Sequence, residues 1–220
     1  MFIANWKMNG SETMINDWLE GIALNLNKSS QRKCIFCPPA CYLSVARDLI
    51  KKESLDISLG AQDIDSGTFS SLTGGINGSM LSDLGSEYVI IGHSERRKAF
   101  KEDQQLLLHK INSASKEGLK IIYCIGESLV EKEQNKTLEV INKQLEVINE
   151  SEVHEFMIAY EPIWAIGSGE TPELNEIQNI HKMIFDQVES YSKTGFLGIS
   201  YGGSINSINS KEIISLDEVN

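Results

Sequence analysis

The sequence has few of the features that direct a protein to a membrane, to nucleic acid or to secretion. Although 41% of its 220 residues are hydrophobic, no apolar run approaches the roughly 20 residues that span a bilayer. Lys and Arg total 20 against 31 Asp and Glu, for a net charge of −11, whereas nucleic acid and anionic membranes attract clustered cations. The N-terminus enters strand-like sequence without a signal-peptide pattern. We therefore expect a cytoplasmic protein with no nucleic-acid or membrane partner.

Cysteine is also scarce, at four residues, although three of the four are spaced like metal ligands. Cys34, Cys37 and Cys41 form a Cys-x2-Cys-x3-Cys pattern, and Cys124 lies far along the chain. Cys34 and Cys37 fall within an apparent strand, in which an odd spacing places side chains on opposite faces. We therefore expect buried, reduced thiols and no metal site.

Proline is rare too, and no Pro-rich linker or change of composition divides the chain, so we predict one domain over residues 1–220. Short apolar runs alternate with segments of helical spacing, for example 138–148 and 174–188. The pattern predicts seven strands, at 2–6, 35–37, 57–61, 88–92, 119–125, 156–160 and 197–201. This alternation indicates an α/β protein whose parallel sheet is covered by helices, either closed as a barrel or open and doubly wound.

The segment 63–79 is too long for an ordinary connection between a strand and a helix. Phe69, Leu72 and Ile76 give it apolar content that water would not favour. We predict that this loop docks into a second subunit. A mobile surface loop is the alternative.

Glu161 is the first residue after an apolar run that is typical of a strand buried on both faces. Pro162 stiffens the chain directly after it, and Gly167 and Gly169 allow conformational freedom further on. The apolar residues 163–166 between them would be costly to expose unless they close over something. The sequence therefore predicts a carboxylate base under a closing flap that excludes water.

Other polar residues follow the predicted strands at the edge where parallel sheets bind ligands. Asn5 and Lys7 close the first strand, His93 the fourth, Glu161 the sixth, and 201–204 the seventh. Each has an ordinary structural explanation when taken alone, such as a surface charge, a structural histidine or a turn. Together they fit proton abstraction next to a carbonyl, which requires a base, an electrophile and groups that hold the substrate.

Five motifs, in order along nearly the whole chain, resemble those of the triosephosphate isomerase family. They are Asn-Trp-Lys-Met-Asn-Gly at 5–10, Ile-Gly-His-Ser-Glu-Arg-Arg at 91–97, Cys-Ile-Gly-Glu at 124–127, the segment 159–169 and Tyr-Gly-Gly-Ser at 201–204. The resemblance implies a (β/α)8 TIM-barrel-type fold, with seven βα units in this chain. It also implies interconversion of dihydroxyacetone phosphate and glyceraldehyde 3-phosphate in glycolysis and gluconeogenesis, without metal or organic cofactor.

The resemblance further implies a role for each matching residue. Glu161 would carry the proton between two substrate carbons through an enediolate, and His93 would polarise the carbonyl as a neutral imidazole. Lys7 and Asn5 would orient the substrate and stabilise its charge.

Gly167 and Ser204 would offer donors to the phosphate of a small phosphorylated triose. Cys124 and Glu127 are similar to supporting residues, and the loop 63–79 would form a homodimer contact.

One departure from the family pattern concerns the end of the chain. The sequence stops where the family begins its eighth strand, so we expect a C-terminally incomplete barrel in which the first and seventh strands are unpaired edges. An inactive or weakly active phosphate-binding remnant of the family is therefore the alternative function. A third possibility is another phosphate-using barrel enzyme, such as a lyase.

Overall fold

The structure is a computed structural model that describes residues 1–167 and 171–219, and these residues form a curled parallel sheet with helices packed against it. The strands are β1 (Phe2–Asn5), β2 (Cys34–Cys37), β3 (Ser58–Ala61), β4 (Tyr88–Ile91), β5 (Lys120–Ile125), β6 (Phe156–Tyr160) and β7 (Phe196–Tyr201). The predicted strands therefore all form, each end lying within one residue of its predicted position.

The connections between strands contain all but the last of the described helices, which follows β7, and two connections also contain short 3-10 turns, Ala40–Tyr42 and Ile163–Ala165. Among the described residues, no helix combines the length and the apolar character that crossing a lipid bilayer requires. The helices are α1 (Glu12–Asn25), α2 (Lys28–Gln31), α3 (Leu43–Lys52), α4 (Gly78–Asp83), α5 (Ser94–Phe100), α6 (Gln104–Lys116), α7 (Leu129–Glu133), α8 (Thr137–Glu150), α9 (Leu174–Ser190) and α10 (Ser210–Ile214).

The strand order decides between the two architectures that the sequence left open. The strands lie side by side in chain order from β1 to β7, and every pair is parallel. A doubly wound sheet would reverse its order at a switch point, whereas this order is that of a TIM-type barrel. Within residues 1–167 and 171–219, β1 and β7 are the two ends of the sheet and do not pair with each other.

The inner strands, β2 to β6, are buried on both faces, and alternate residues contribute to two apolar clusters. In β4, Val89 and Ile91 belong to the larger cluster, which also includes helix residues such as Leu107. Tyr88 and Ile90 point the other way, into a smaller cluster formed by residues of the strands. This alternation explains why the strands are continuous apolar runs in the sequence.

The cysteines test one expectation from the sequence. Cys34 and Cys37 are buried and join opposite apolar clusters, as the odd spacing predicts, and Cys124 is buried as well. The expectation of a buried thiol is wrong for Cys41, which is exposed. Its position explains the difference, because it lies in the 3-10 turn Ala40–Tyr42 beyond the end of β2.

Helix α8 allows a matched test of the core. Leu145 is fully buried, while Leu138 on the same helix is 53% exposed. We expect Leu145→Ala to lower the free energy of unfolding by about 2 to 5 kcal/mol, because it removes buried methyl groups and leaves a cavity. Leu138→Ala should change it by no more than about 0.5 kcal/mol. Urea unfolding measures both, and equal losses would contradict this assignment of the packed face.

Candidate active site

The carboxyl ends of the strands surround a cavity of about 800 Å³. Asn5, Lys7, His93 and Glu161 all line it, so the structure brings together four of the six predicted site residues. The other two, Gly167 and Ser204, each directly follow a lining residue, Ile166 and Gly203 respectively. Apolar residues continue the wall into the barrel between β1 and β7, including Phe2, Ile90, Ile122 and Ile213.

Glu161 is a buried residue of the cavity lining, with 6% of its surface exposed. Its backbone N–H donates to the carbonyl of Ile125 at 2.7 Å, which fixes the residue directly beyond β6. One carboxylate oxygen, Oε2, accepts the backbone N–H of Ser94 at 3.4 Å. The other, Oε1, lies 3.2 Å from Nε2 of His93. Burial raises the pKa of Glu161, and the hydrogen bond from the backbone N–H of Ser94 opposes part of that rise.

Two glycines make room for Glu161, a function that their sequence context did not predict. A Cβ atom on Gly126 would lie 1.8 Å from the carbonyl oxygen of Glu161. A Cβ atom on Gly202 would lie 2.8 Å from Cγ of Glu161. Both distances are too short for any side chain, so these positions require glycine. The signal in the sequence is that each glycine follows directly after a strand.

His93 is the N-cap residue of α5, and this position fixes the protonation of its ring. Its Nδ1 accepts the backbone N–H of Glu95 at 3.2 Å. A nitrogen that accepts a hydrogen bond carries no proton, so we assign the neutral tautomer with its proton on Nε2. That nitrogen faces the carboxylate of Glu161. The imidazole is therefore arranged as a neutral donor toward the cavity.

Lys7 follows β1 and supplies a cation to the cavity. Its Nζ lies 2.8 Å from Oε1 of Glu95, and its side chain is 37% exposed. The backbone N–H of Lys7 donates to Oδ1 of Asn5 at 3.0 Å. Asn5 therefore orients Lys7 as well as lining the cavity.

The flap predicted from the sequence is anchored where it begins. Trp164 donates its indole N–H to Oε1 of Glu127 at 2.8 Å, and the hydroxyl of Tyr160 donates to Oε2 at 3.1 Å. Glu127 is fully buried, and burial raises its pKa. Nζ of Lys132 lies 3.7 Å from the centroid of the Trp164 ring. The supporting role that the family resemblance implied for Glu127 thus has a physical basis in these contacts.

Ser204 also contacts this segment. Its hydroxyl donates to the carbonyl of Ala165, in the 3-10 turn Ile163–Ala165. The hydroxyl predicted to bind phosphate is therefore engaged by the flap in this structure. Ser168 and Gly169, which complete the predicted flap, lie outside the described residues.

Cys124 lines the same cavity, close to Glu161. Its burial raises the pKa of its thiol well above the ordinary value, so that it is a neutral neighbour of the carboxylate. Across residues 1–167 and 171–219, no three His, Cys, Asp or Glu side chains are grouped so that they could hold a metal ion.

Comparison with known proteins finds a consistent set of relatives. A family model described as triosephosphate isomerase matches residues 1–220. The triosephosphate isomerase of Nitrosomonas eutropha is 33% identical over 225 residues, which cover 99% of this chain and 88% of that protein. Those of Shewanella sp. strain ANA-3 and Shewanella oneidensis are each 36% identical over 232 residues, covering 100% of this chain and 88% of each relative.

The burial of Glu161 predicts how its replacement changes stability with pH. Its pKa in the folded protein is raised above the ordinary value of 4.5. The stability that its protonated form contributes is therefore complete below that value and is lost as pH rises through the folded pKa. As pH rises from about 4.5 through the folded pKa, the wild type loses this stability and Glu161→Gln does not. We therefore expect the free energy of unfolding of Glu161→Gln to increase relative to that of the wild type over this pH range, by at most about 1.4 kcal/mol per pH unit.

Urea unfolding at a series of pH values measures this difference. Glu155→Gln is the matched control, since Glu155 is exposed at the amino end of the same strand. The difference in the free energy of unfolding between Glu155→Gln and the wild type should not rise with pH in this way. A difference between Glu161→Gln and the wild type that stays constant across this pH range would contradict the raised pKa.

Proposed function

The chain belongs to the triosephosphate isomerase family, and we propose that it interconverts dihydroxyacetone phosphate and glyceraldehyde 3-phosphate by proton transfer through an enediolate. One observation carries this proposal. The carboxylate of Glu161 lies 3.2 Å from Nε2 of His93 in a cavity that Lys7 also lines. A base, a neutral donor and a cation at one opening are the groups that enolisation of a phosphorylated triose requires.

In the proposed reaction, Glu161 removes a proton from the carbon beside the substrate carbonyl. Burial favours its protonated form, so the carboxylate is a stronger base than it would be in water. The same residue then returns the proton to the neighbouring carbon, and the hydroxyl proton passes from the oxygen of the first carbon to that of the second, which converts ketose to aldose. Glu161 must leave His93 and Ser94 to reach the substrate, and the missing side chain of Gly202 leaves room beside its Cγ.

His93 stabilises the oxygen on which negative charge develops. The substrate carbonyl would take the place beside Nε2 that Oε1 of Glu161 occupies in this structure. Because Nδ1 is held by the backbone of Glu95, the ring presents its proton without rotating. Lys7, aided by Asn5, would offset the charges of the enediolate and the phosphate.

The phosphate contacts in this proposal involve the flap. The backbone N–H of Gly167 and the hydroxyl of Ser204 would donate to phosphate oxygens once the hydroxyl turns away from Ala165. Closure of the flap would exclude water and discourage loss of phosphate from the enediolate.

We propose residues 1–220 as one TIM-barrel-type domain, glycolysis and gluconeogenesis as the pathways, and the cytoplasm as the compartment.

A second candidate function is binding of a phosphorylated compound without efficient catalysis. The observation that favours it is the open sheet, because β1 and β7 are unpaired ends among the described residues and flank the cavity. An open side admits water and gives the phosphate fewer fixed partners.

Substitution of the proposed base tests the isomerase directly. Glu161→Asp shortens the side chain by one methylene, and a misplacement of about 1 Å should lower kcat by about 100-fold. A coupled assay that follows product formation measures this change. The control is Glu155→Asp, which makes the same chemical change at the other end of β6 and should retain wild-type kcat.

Equal kcat values for the wild type and Glu161→Asp would refute the role of Glu161. A wild type that shows no turnover, yet unfolds at a higher temperature with 2-phosphoglycolate, would instead support the second candidate.

We also propose that the protein is a homodimer whose contact includes the loop 63–79. The connection from β3 to α4 exposes Phe69 by 64% and Leu72 by 52%. The loop is closed at its base, where the N–H of Asp65 donates to the carbonyl of Ile76 at 2.8 Å. A closed loop that presents apolar side chains to water fits insertion into a second copy of the chain.

Substitution of one exposed apolar residue tests the dimer. We expect Leu72→Asp to shift the protein toward the monomer, because the dimer would bury an unpaired carboxylate. Sedimentation equilibrium measures the mass. Leu24→Asp, which changes an 85% exposed leucine on α1, should leave it unchanged. A monomeric wild type, or a Leu72→Asp variant with unaltered association, would refute the proposed contact.

A further inference from the structure

Lys7 has a backbone conformation that residues other than glycine seldom adopt. Its φ is +51°, in the left-handed region. Such conformations persist only where surrounding groups hold them in place. Lys7 lines the cavity, and its Nζ approaches Glu95 within 2.8 Å. The conformation therefore occurs at a position where the direction of the side chain matters for the site.

Two side-chain amides hold this backbone, one on each side. Oδ1 of Asn5 accepts the N–H of Lys7 at 3.0 Å. Nε2 of Gln62 donates to the carbonyl oxygen of Lys7 at 3.0 Å. Both backbone polar groups of the strained residue are thus bound. Asn5 is the close neighbour of Lys7 in the chain, whereas Gln62 is separated from it by 55 positions.

Gln62 ties Lys7 to the rigid part of the sheet. It directly follows β3, and its Nε2 also donates to the carbonyl of Cys37 at 2.9 Å, the last residue of β2. The same carbonyl accepts the N–H of Trp6 at 3.1 Å. The amide group of Gln62 therefore joins the ends of two strands to the loop that carries Lys7.

We propose that Gln62 is a positioning residue for the isomerase reaction, acting through Lys7, and this proposal rests on the proposed function of the site. Lysine has four methylene groups, so the place its ammonium group can reach depends on how its backbone is oriented. By holding the Lys7 carbonyl, Gln62 directs the side chain toward Glu95 and the cavity. Gln62 contacts the backbone of Lys7 and is not among the residues that line the cavity, so it is not a catalytic residue itself.

A double-mutant cycle distinguishes positioning from a structural effect. Gln62→Met keeps the approximate length of the side chain and removes both hydrogen bonds. With Lys7 present, we expect kcat/KM to fall by about 10-fold to 100-fold, because the ammonium group is misplaced. In the Lys7→Ala background, the same substitution should change kcat/KM by less than about twofold, since no side chain remains to be positioned.

The same double-mutant cycle is analysed with binding affinities as well as with kcat/KM. Isothermal titration with 2-phosphoglycolate gives the affinity of all four proteins, so that low activity of Lys7→Ala does not prevent the comparison. We expect Gln62→Met to weaken binding only where Lys7 is present. If Gln62→Met does not fold, Gln62→Glu replaces it, because an ionised carboxylate cannot donate to either carbonyl.

Gln31 supplies the matched control. It is 3% exposed, and its amide likewise joins two backbone groups, donating to the carbonyl of Leu26 at 2.9 Å and accepting the N–H of Asp56 at 3.0 Å. These contacts lie outside the cavity lining. Gln31→Met should lower stability without changing kcat/KM beyond about twofold.

The outcomes separate this proposal from the function on which it rests. Equal fold-changes for Gln62→Met with and without Lys7 would overturn the positioning role while leaving the isomerase intact. An effect of Gln31→Met on kcat/KM as large as that of Gln62→Met would overturn it too. A wild type without isomerase activity would overturn the proposed function and this inference with it.

Discussion

The site depends on the burial of one carboxylate, that of Glu161, against an imidazole with a fixed proton. Removing the carboxylate from water raises its pKa, and the hydrogen bond from the backbone N–H of Ser94 limits that rise. The role of His93 as a donor requires that its ring be neutral and keep its proton on Nε2. The N–H of Glu95 at Nδ1 meets this requirement. The tautomer and the basicity of the carboxylate are therefore set by backbone geometry at the start of α5.

The sheet brings these groups together across an intervening strand. His93 follows β4 and Glu161 follows β6, and β5 lies between them. The two side chains meet because β5 is followed by Gly126, which places no side chain against the Glu161 carbonyl. A parallel ladder aligns the strand ends, and glycine beyond the middle strand allows the backbone to approach closely. The contact thus results from strand order and local sequence together.

Strands and the contacts between distant segments differ in how far the sequence predicts them. The apolar runs located all seven strands, and residues within two positions of a strand's carboxyl end, such as His93 and Glu161, could be placed at the cavity from that fact alone. Contacts between distant segments leave no such pattern. The hydrogen bonds of Trp164 to Glu127 and of Gln62 to Lys7 join positions 37 and 55 residues apart. Their existence depends on how the strands pack, which periodicity does not encode.

A second buried carboxylate explains why Glu161 rather than Glu127 suits the role of a base. Burial raises the pKa of both. Glu127 accepts a hydrogen bond from Trp164 at 2.8 Å and one from Tyr160 at 3.1 Å. Glu161 lines the cavity, and its contacts are longer, 3.4 Å to the backbone N–H of Ser94 and 3.2 Å to Nε2 of His93. A carboxylate held by short bonds loses them when it moves, so Glu127 fits an anchor for the flap, whereas Glu161, with its longer contacts, can move to a substrate.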